Sequence, residues 1–380
     1  MKNKKTVLIV VNVDWFFISH RLCIATQAIQ EGWSVVVIGK DTGRAHEIEA
    51  EGIQFVNISF TRSGVNPLIE VQTIFKLLKL YRAIKPDLVH HITFKPIIYG
   101  SLITKFIKVK GVVNAISGLG YNFSTNENKF ISGVVRNLMK VAFHHKNMAI
   151  IFQNKEDFRD LKSSKIISDT HKLFFIKGSG VNLGGFQCKS DIKNDKINIL
   201  FPSRMIWEKG VKELIEAANL LYSKYQDKII FKLYGIIDYD SKSCVPESYL
   251  LENTIKNYIE WYGYEKNISA VFNMADIVVF PSYYREGMPK TLLEACAAGK
   301  PIITTDSIGC KECVEEGYNG YKVPVKSGVA LANAIEKLIN APEEMVRMGK
   351  NSRAKAEKEF DQKEVVLKHM EIYNMLSALN

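Results

Sequence analysis

The chain has 380 residues, of which 47% are hydrophobic and 24% charged. These globular values exclude a disordered, collagenous or coiled-coil protein and leave room for roughly two to three domains of about 150 residues. Six cysteines are too few for a disulfide scaffold, so reduced thiols in a cytoplasm are expected. Of the net charge of +11, residues 1–190 contribute 26 Lys+Arg against 13 Asp+Glu, and residues 191–380 contribute 25 against 27. The basic excess therefore belongs to the first half, which suits a face turned to something anionic.

The chain opens Met-Lys-Asn-Lys-Lys, and its first apolar run soon meets Asn12 and Asp14. No small-residue cleavage site follows, so no signal peptide is expected. Apolar runs such as Thr6–Val11 fall short of the ~18 residues a membrane span needs. β-Rich runs are predicted as strands at Thr6–Val13, Ser34–Lys40, Gln54–Ile58, Leu88–Ile92, Val112–Ile116, Ala149–Asn154 and Leu173–Lys177. Helical periodicity lies between them, as in Pro67–Ile84, where Leu68, Val71, Phe75, Leu78 and Tyr81 recur every three or four residues. Residues 187–196 are polar and charged and read as a linker. Strands resume at Ile197–Pro202, Ile229–Tyr234, Ile259–Tyr262, Ile277–Pro281, Pro301–Thr305 and Tyr321–Val325. The end reads as helix from about Ser327 to Leu379, broken near Pro342.

Strands alternating with helices predict an α/β protein of parallel sheets covered on both faces. Two such runs about a linker predict two doubly wound, Rossmann-like domains. The first is expected over 1–186 and the second over 197–356, with 357–380 a terminal helix packing back on the first. Ligands in this architecture sit outside the carboxyl ends of strands and between domains.

Three segments carry candidate chemistry. Ser203-Arg204-Met-Ile-Trp-Glu-Lys209-Gly210 follows a strand. Two cations at a strand's carboxyl end, with a glycine opening a helix, make a place for a diphosphate. In Pro281–Ala295, Glu286 and Gly287 fall in a loop, Met288 and Pro289 lead into a helix, and the amides of Lys290 and Thr291 sit at its positive end. Glu294 lies further into that helix, so two carboxylates eight residues apart are placed to grip sugar hydroxyls. Lys177-Gly178-Ser-Gly180-Val-Asn182 is a Gly-x-Gly turn suited to a hinge or a plain loop.

Other motifs are bland. Asp238-Tyr-Asp240 has the spacing of a metal-binding acid pair but reads as loop. Cys310-x-x-Cys313 has no second pair and reads as two buried thiols. The neighbours His90-His91 and His144-His145 are not expected to bind metal, since adjacent strand residues point to opposite faces. A nicotinamide dehydrogenase would need G-x-G-x-x-G after the first strand, and the loop Asn12–Phe17 has no glycine.

The phrases SRMIWEKG, GSGVN, NMADIVVFPSYYREGMPKTLLEACAAGKPIITTD and VEEGYNGYKVPV together resemble glycosyltransferase family 4, over nearly the whole chain. FFISHRL, RSGVNPL, HITFKPIIYGSLI and NAISGLGYNF are similar to a bacterial subgroup that adds hexosamine-type sugars to polyprenyl-diphosphate-linked acceptors. The resemblance implies a GT-B fold with a cleft between its domains and retaining, metal-independent transfer from a UDP-sugar. It implies a role in surface polysaccharide, O-antigen or capsule assembly, at the inner face of a bacterial cell membrane.

By that resemblance Arg204 and Lys209 clamp the donor diphosphate, Glu286 meets the donor sugar and Glu294 holds the ribose hydroxyls. Gly287, Met288, Pro289, Lys290, Thr291 and Tyr264 complete the donor side. The family's glycine pair in the first loop and its mid-domain histidine are absent here, the latter replaced by Ser117-Gly118-Leu-Gly120. Gly118 and Gly120 are then candidates for close backbone approach, and His20, Arg21, Trp15, Phe16 and Tyr121 for the acceptor side. Trp15-Phe-Phe17 and Tyr121-Asn-Phe123 beside lysines also suit an anionic headgroup region. The competing expectations are a transferase to a soluble acceptor, a nucleotide-sugar epimerase, and a nucleic-acid-binding protein using the basic half, for which no recognised module appears.

Overall fold

The computed structural model describes residues 4–60, 66–119, 129–168, 170–188 and 195–378. It divides into two units: Met1–Ser179 with Lys363–Asn380, and Gly180–Gln362. The first unit holds a seven-stranded sheet of β1 (Thr6–Val13), β2 (Ser34–Lys40), β3 (Gln54–Asn57), β4 (Leu88–Ile92), β5 (Gly111–Ile116), β6 (Met148–Phe152) and β7 (Lys172–Phe175). Its order is β3-β2-β1-β4-β5-β6-β7 and every pairing is parallel. The second holds β8 (Ile197–Pro202), β9 (Ile229–Tyr234), β10 (Ile259–Trp261), β11 (Ile277–Phe280), β12 (Ile302–Thr305) and β13 (Gly320–Val323). Their order is β10-β9-β8-β11-β12-β13, again all parallel.

Both sheets are the doubly wound α/β arrangement that the alternation predicts. Helices cover both faces, so the central strands read as unbroken apolar runs: Val7 to Val11 are all fully buried. The ends of several strands lie one or two residues from the limits of those runs.

Two helical expectations need correction. The helix Pro67–Ile84 forms, capped by Asn66 accepting from the Leu68 amide, but Leu68, Val71 and Phe75 face solvent. Its buried stripe is Glu70, Thr73, Leu77 and Tyr81. Polar residues can take that stripe because they are satisfied: Lys95 and Tyr99 donate to the two Glu70 oxygens at 2.6 and 2.5 Å. The C-terminal helix has two breaks, giving Gly328–Ile339, Pro342–Glu359 and Gln362–Ala378. The unexpected break, at Phe360–Asp361, is pinned by Val181, whose amide donates to the Phe360 carbonyl and whose carbonyl accepts from the Gln362 amide.

The adjacent histidines of β4 do face opposite ways. His90 meets Tyr373 of the last helix at 2.6 Å, while His91 sits between Tyr81 and Asn114, both at 2.8 Å. Burial pulls His91 down to about 4 and His90 well below its ordinary value, so both are neutral core residues. Among the described residues, no three His, Cys, Asp or Glu side chains gather as metal ligands.

Asp14, fully buried at the end of β1, ties the β1 loop to the β2 loop. It accepts from the Thr42 amide and hydroxyl at 2.6 Å each and from the Trp15 and Arg44 amides at 2.6 and 3.1 Å. Burial pushes its carboxyl up, but these donors outweigh it and leave the group below its ordinary range. Its stabilising contribution is therefore present at neutral pH and lost as pH falls through that lowered value. Asp14→Ala should cost on the order of 2–3 kcal/mol in urea unfolding at pH 7. The gap to wild type should narrow in acid; an equal gap at pH 3 and pH 7 would contradict this account.

Candidate functional site

The order of the second sheet reverses between β8 and β11, which lie side by side at its centre. Loops leaving the carboxyl ends of such neighbours diverge and open a crevice. The segment 203–210 leaves β8 and the segment 281–289 leaves β11, so the two candidate motifs of the second half share this crevice.

Their approach is fixed by backbone. Gly210 has φ 85°, and a Cβ there would lie 2.4 Å from the Pro281 carbonyl oxygen, so only glycine fits. The Glu208 carbonyl accepts from the Tyr283 and Tyr284 amides at 2.9 and 3.2 Å and from the Ser282 hydroxyl at 3.2 Å. Arg204 lies in a segment stitched to the loop after β9: Met205 donates to Ile236 and Val245 donates back to Met205.

On this frame each cation meets an acid. Lys209 Nζ donates to Glu286 Oε1 at 2.5 Å, with the lysine side chain 8% and the glutamate 18% exposed. The ammonium also lies 4.9 Å from the centre of the Phe280 ring. Arg204 Nη1 donates to Asp238 Oδ2 at 2.5 Å, and Arg204 keeps about a third of its side chain in solvent. Asp238 was legible only as half of an acid pair; its work as the partner of Arg204 depends on where the β9 loop lands.

The helix Lys290–Ala297 starts after Pro289 with no side-chain cap, so its positive end faces the same loop. Gly287 and Met288 are buried, and the Thr291 hydroxyl donates to the Pro202 carbonyl at 3.2 Å. Glu294 stands in this helix 3.8 Å from Lys290. Burial pushes its carboxyl up to about 7, against the opposing pull of Lys290. Gly309, at φ 90°, lets the loop after β12 press on the Gly287 carbonyl; sequence reading missed it, and the only signal was a glycine after a strand.

The remaining candidates scatter. Tyr264 is exposed in the loop after β10, two strands out from β8. In the first unit, Trp15, Phe16 and His20 lie on the helix Asp14–His20 that follows β1, with Phe16 stacked on His20 at 4.2 Å. Gly118, φ 98°, follows β5. Gly120 and Tyr121 lie outside the described residues. Arg21 is corrected: it is 2% exposed, in the core rather than on an acceptor-facing surface. Burial pulls its guanidinium down to about 10, and Nη1 donates to the His20 carbonyl. Cys310 and Cys313 are buried thiols, the former pushed up to about 12 by burial.

Residues 186–355 match the family model described as "Glycosyl transferases group 1", and residues 6–154 match "Glycosyl transferase 4-like". Campylobacter jejuni N,N'-diacetylbacillosaminyl-diphospho-undecaprenol alpha-1,3-N-acetylgalactosaminyltransferase is 27% identical over 85% of this chain and 86% of its own. Escherichia coli UDP-Gal:alpha-D-GlcNAc-diphosphoundecaprenol alpha-1,3-galactosyltransferase is 22% identical over 86% and 84%. Among solved structures, Anabaena HepE in complex with UDP-glucose superposes with a TM-score of 0.78 at 18% identity, covering 98% of this chain and 100% of that one.

The Glu294 environment has a measurable consequence. Its carboxyl holds a proton more tightly folded than unfolded, so its contribution is favourable below the ordinary carboxylate range and is lost as pH rises through about 7. Glu294→Gln should therefore stabilise the fold at pH 8 by on the order of 2–3 kcal/mol, and much less at pH 5. Thermal melts at the two pH values check this; a destabilised variant at pH 8 would contradict the burial argument.

Proposed function

Because its second half matches the group 1 glycosyltransferases and its first half the glycosyltransferase 4-like model, over two GT-B-type parallel-sheet units, we propose that the chain moves an N-acetylhexosamine from a UDP-sugar to a polyprenyl-diphosphate-linked saccharide with retention of configuration. The observation that carries this reading is the pair of acid-held cations, Arg204–Asp238 and Lys209–Glu286, at the β8/β11 switch point. The C. jejuni and E. coli relatives, whose names specify undecaprenyl-diphosphate-linked acceptors, support the acceptor class. The UDP-glucose complex of the fold neighbour supports the donor class.

Cleaving a sugar–diphosphate bond leaves its electron pair on the β-phosphate oxygen while the sugar becomes oxocarbenium-like. Preorganised cations at that oxygen stabilise the departing charge. Arg204 and Lys209 are suited to this because Asp238 and Glu286 already hold them in place, so little reorganisation is needed when a diphosphate arrives. Glu286, released from full pairing, is placed to accept from a donor-sugar hydroxyl, and Glu294 from the ribose. The acceptor hydroxyl attacks the anomeric carbon on the face the phosphate leaves, and its proton passes to that phosphate. Every step is assigned to protein side chains and the donor itself, with no metal required.

We place this reaction at the inner face of a membrane. No helix among the described residues is long and apolar enough to cross one. The helix Pro67–Ile84 exposes Leu68 and Phe75 at 74% and 60%, on a side that also exposes Lys76, Lys79 and Arg82, a combination suited to a headgroup region.

Arg204→Ala or Lys209→Ala should lower turnover by about 100-fold or more, because each removes a donor aimed at developing charge. Assays use a UDP-N-acetylhexosamine panel and a short polyprenyl-diphosphate sugar acceptor, with anomeric analysis of the product. Near wild-type rates in both variants would remove the diphosphate assignment, and an inverted product would remove the front-face mechanism. Transfer to soluble saccharides alone would move the acceptor to another class.

A further inference from the structure

The carboxyl edges of the sheets carry the chemistry proposed above; the first unit has a second concave feature at its opposite, amino-terminal edge. A cavity of about 760 Å³ opens there, walled by residues that immediately precede or begin four adjacent strands. Asp87 precedes β4, Lys110 precedes β5, Lys146 and Asn147 precede β6, and Lys172 begins β7. Three helix ends complete the wall, contributing Lys85, Lys105 and the pair His144-His145, with Lys108 between the second helix and β5. Sequence reading singled out His144-His145 and the basic first half, and the proposed transfer uses neither at this place.

The floor is rigid. Asn147 Nδ2 donates to the Lys110 and Leu376 carbonyls at 2.6 and 2.8 Å, its Oδ1 accepts from Lys172 Nζ at 2.7 Å, and its amide donates to His145 Nδ1 at 3.1 Å. That last bond places the His145 ring proton on Nε2, leaving an N–H donor. Asp87, the one acid of the lining, is spent: it accepts from the Thr6 amide at 2.8 Å and pairs with Lys110 at 3.1 Å. Lys85, Lys105, Lys108 and Lys146 form no ion pair among the described residues.

Lysines at helix carboxyl ends often do no more than offset the helix dipole. Here that is insufficient. Three helix ends supply roughly half a negative charge each, whereas six lysines against one aspartate leave a net charge of five in the lining. A concave surface concentrates such a field, and the volume lies within the usual range for small-molecule sites, about 300–1,000 Å³. Like charges gathered around one concave surface repel one another, and the ligand that relieves them is compact and multiply anionic.

We propose that this cavity binds a multiply charged phosphate group, carried either by a free polyphosphate-type anion or by a phospholipid headgroup, and that it is a site separate from the Arg204/Lys209 crevice. The test is titration calorimetry of the full chain with sodium triphosphate at 0.15 M NaCl, with saturating UDP present to occupy any nucleotide site. One triphosphate should bind. Lys108→Gln/Lys146→Gln should weaken it by about tenfold or more, as should the second pair Lys85→Gln/Lys105→Gln. The equally charge-changed control Lys350→Gln/Lys358→Gln, exposed on the other unit, should leave it unchanged. Co-sedimentation with cardiolipin-containing vesicles, whose headgroup carries two phosphates, separates the sources: loss of vesicle binding in the cavity variants assigns a lipid headgroup, and intact vesicle binding with lost triphosphate binding assigns a free anion. Absence of both kinds of binding in wild type, or equal weakening by the control pair, overturns the proposal.

Discussion

The site of the second unit depends on one steric constraint, the approach of the β8 loop to the end of β11. With Gly210 in the left-handed region and its Cα against the Pro281 carbonyl, the turn carrying Lys209 lies beneath the loop carrying Glu286. The Glu208 carbonyl then gathers two amides and a hydroxyl from 282–284, which locks the second loop to the first. A larger residue at 210 would separate the two loops, and with them the ammonium and the carboxylate.

Pairing each cation with an acid has a physical rationale. A mostly buried lysine without a partner would lose its proton or drive the loop open. Glu286 and Asp238 hold Lys209 and Arg204 in place through direct hydrogen bonds. On the proposed reading a diphosphate, which carries more negative charge than one carboxylate, competes for the same donors. Glu294 is arranged differently: Lys290 stands 3.8 Å away, and burial dominates its titration over the opposing pull of that lysine. The same crevice thus holds an acid in direct hydrogen-bond contact with a cation and an acid biased toward its neutral form.

The first unit shows how far buried polar groups can disguise themselves in a sequence. Glu70 and Arg21 are charged residues in the interior, and Leu68, Val71 and Phe75 are apolar residues outside it. A periodicity argument ranks side chains by apolarity and so misplaces the first turns of the helix Pro67–Ile84, although Leu78 and Tyr81 do face the core. The correct stripe is set by Lys95 and Tyr99 on the next helix, which reach Glu70, and that contact has no counterpart in local sequence. Arg21 follows the first helix in a position suited to a ligand, yet the fold carries it into the core with His90 and His369.

The sequence by itself determined the thirteen strands, their parallel sense and the division into two doubly wound units, because β-branched runs and amphipathic helices are local patterns with fixed periods. It also determined which loops carry Arg204, Lys209 and Glu286 and which helix carries Glu294, since a glycine and a proline mark where those strands end and a helix begins. Only the tertiary structure decided the partners. Strand order brought 203–210 beside 281–289, the β9 loop delivered Asp238 to Arg204, and strand starts together with helix ends collected six lysines around one cavity. Those pairings join residues tens of positions apart, and a pattern read over a dozen residues contains no term for contacts that only chain crossover creates.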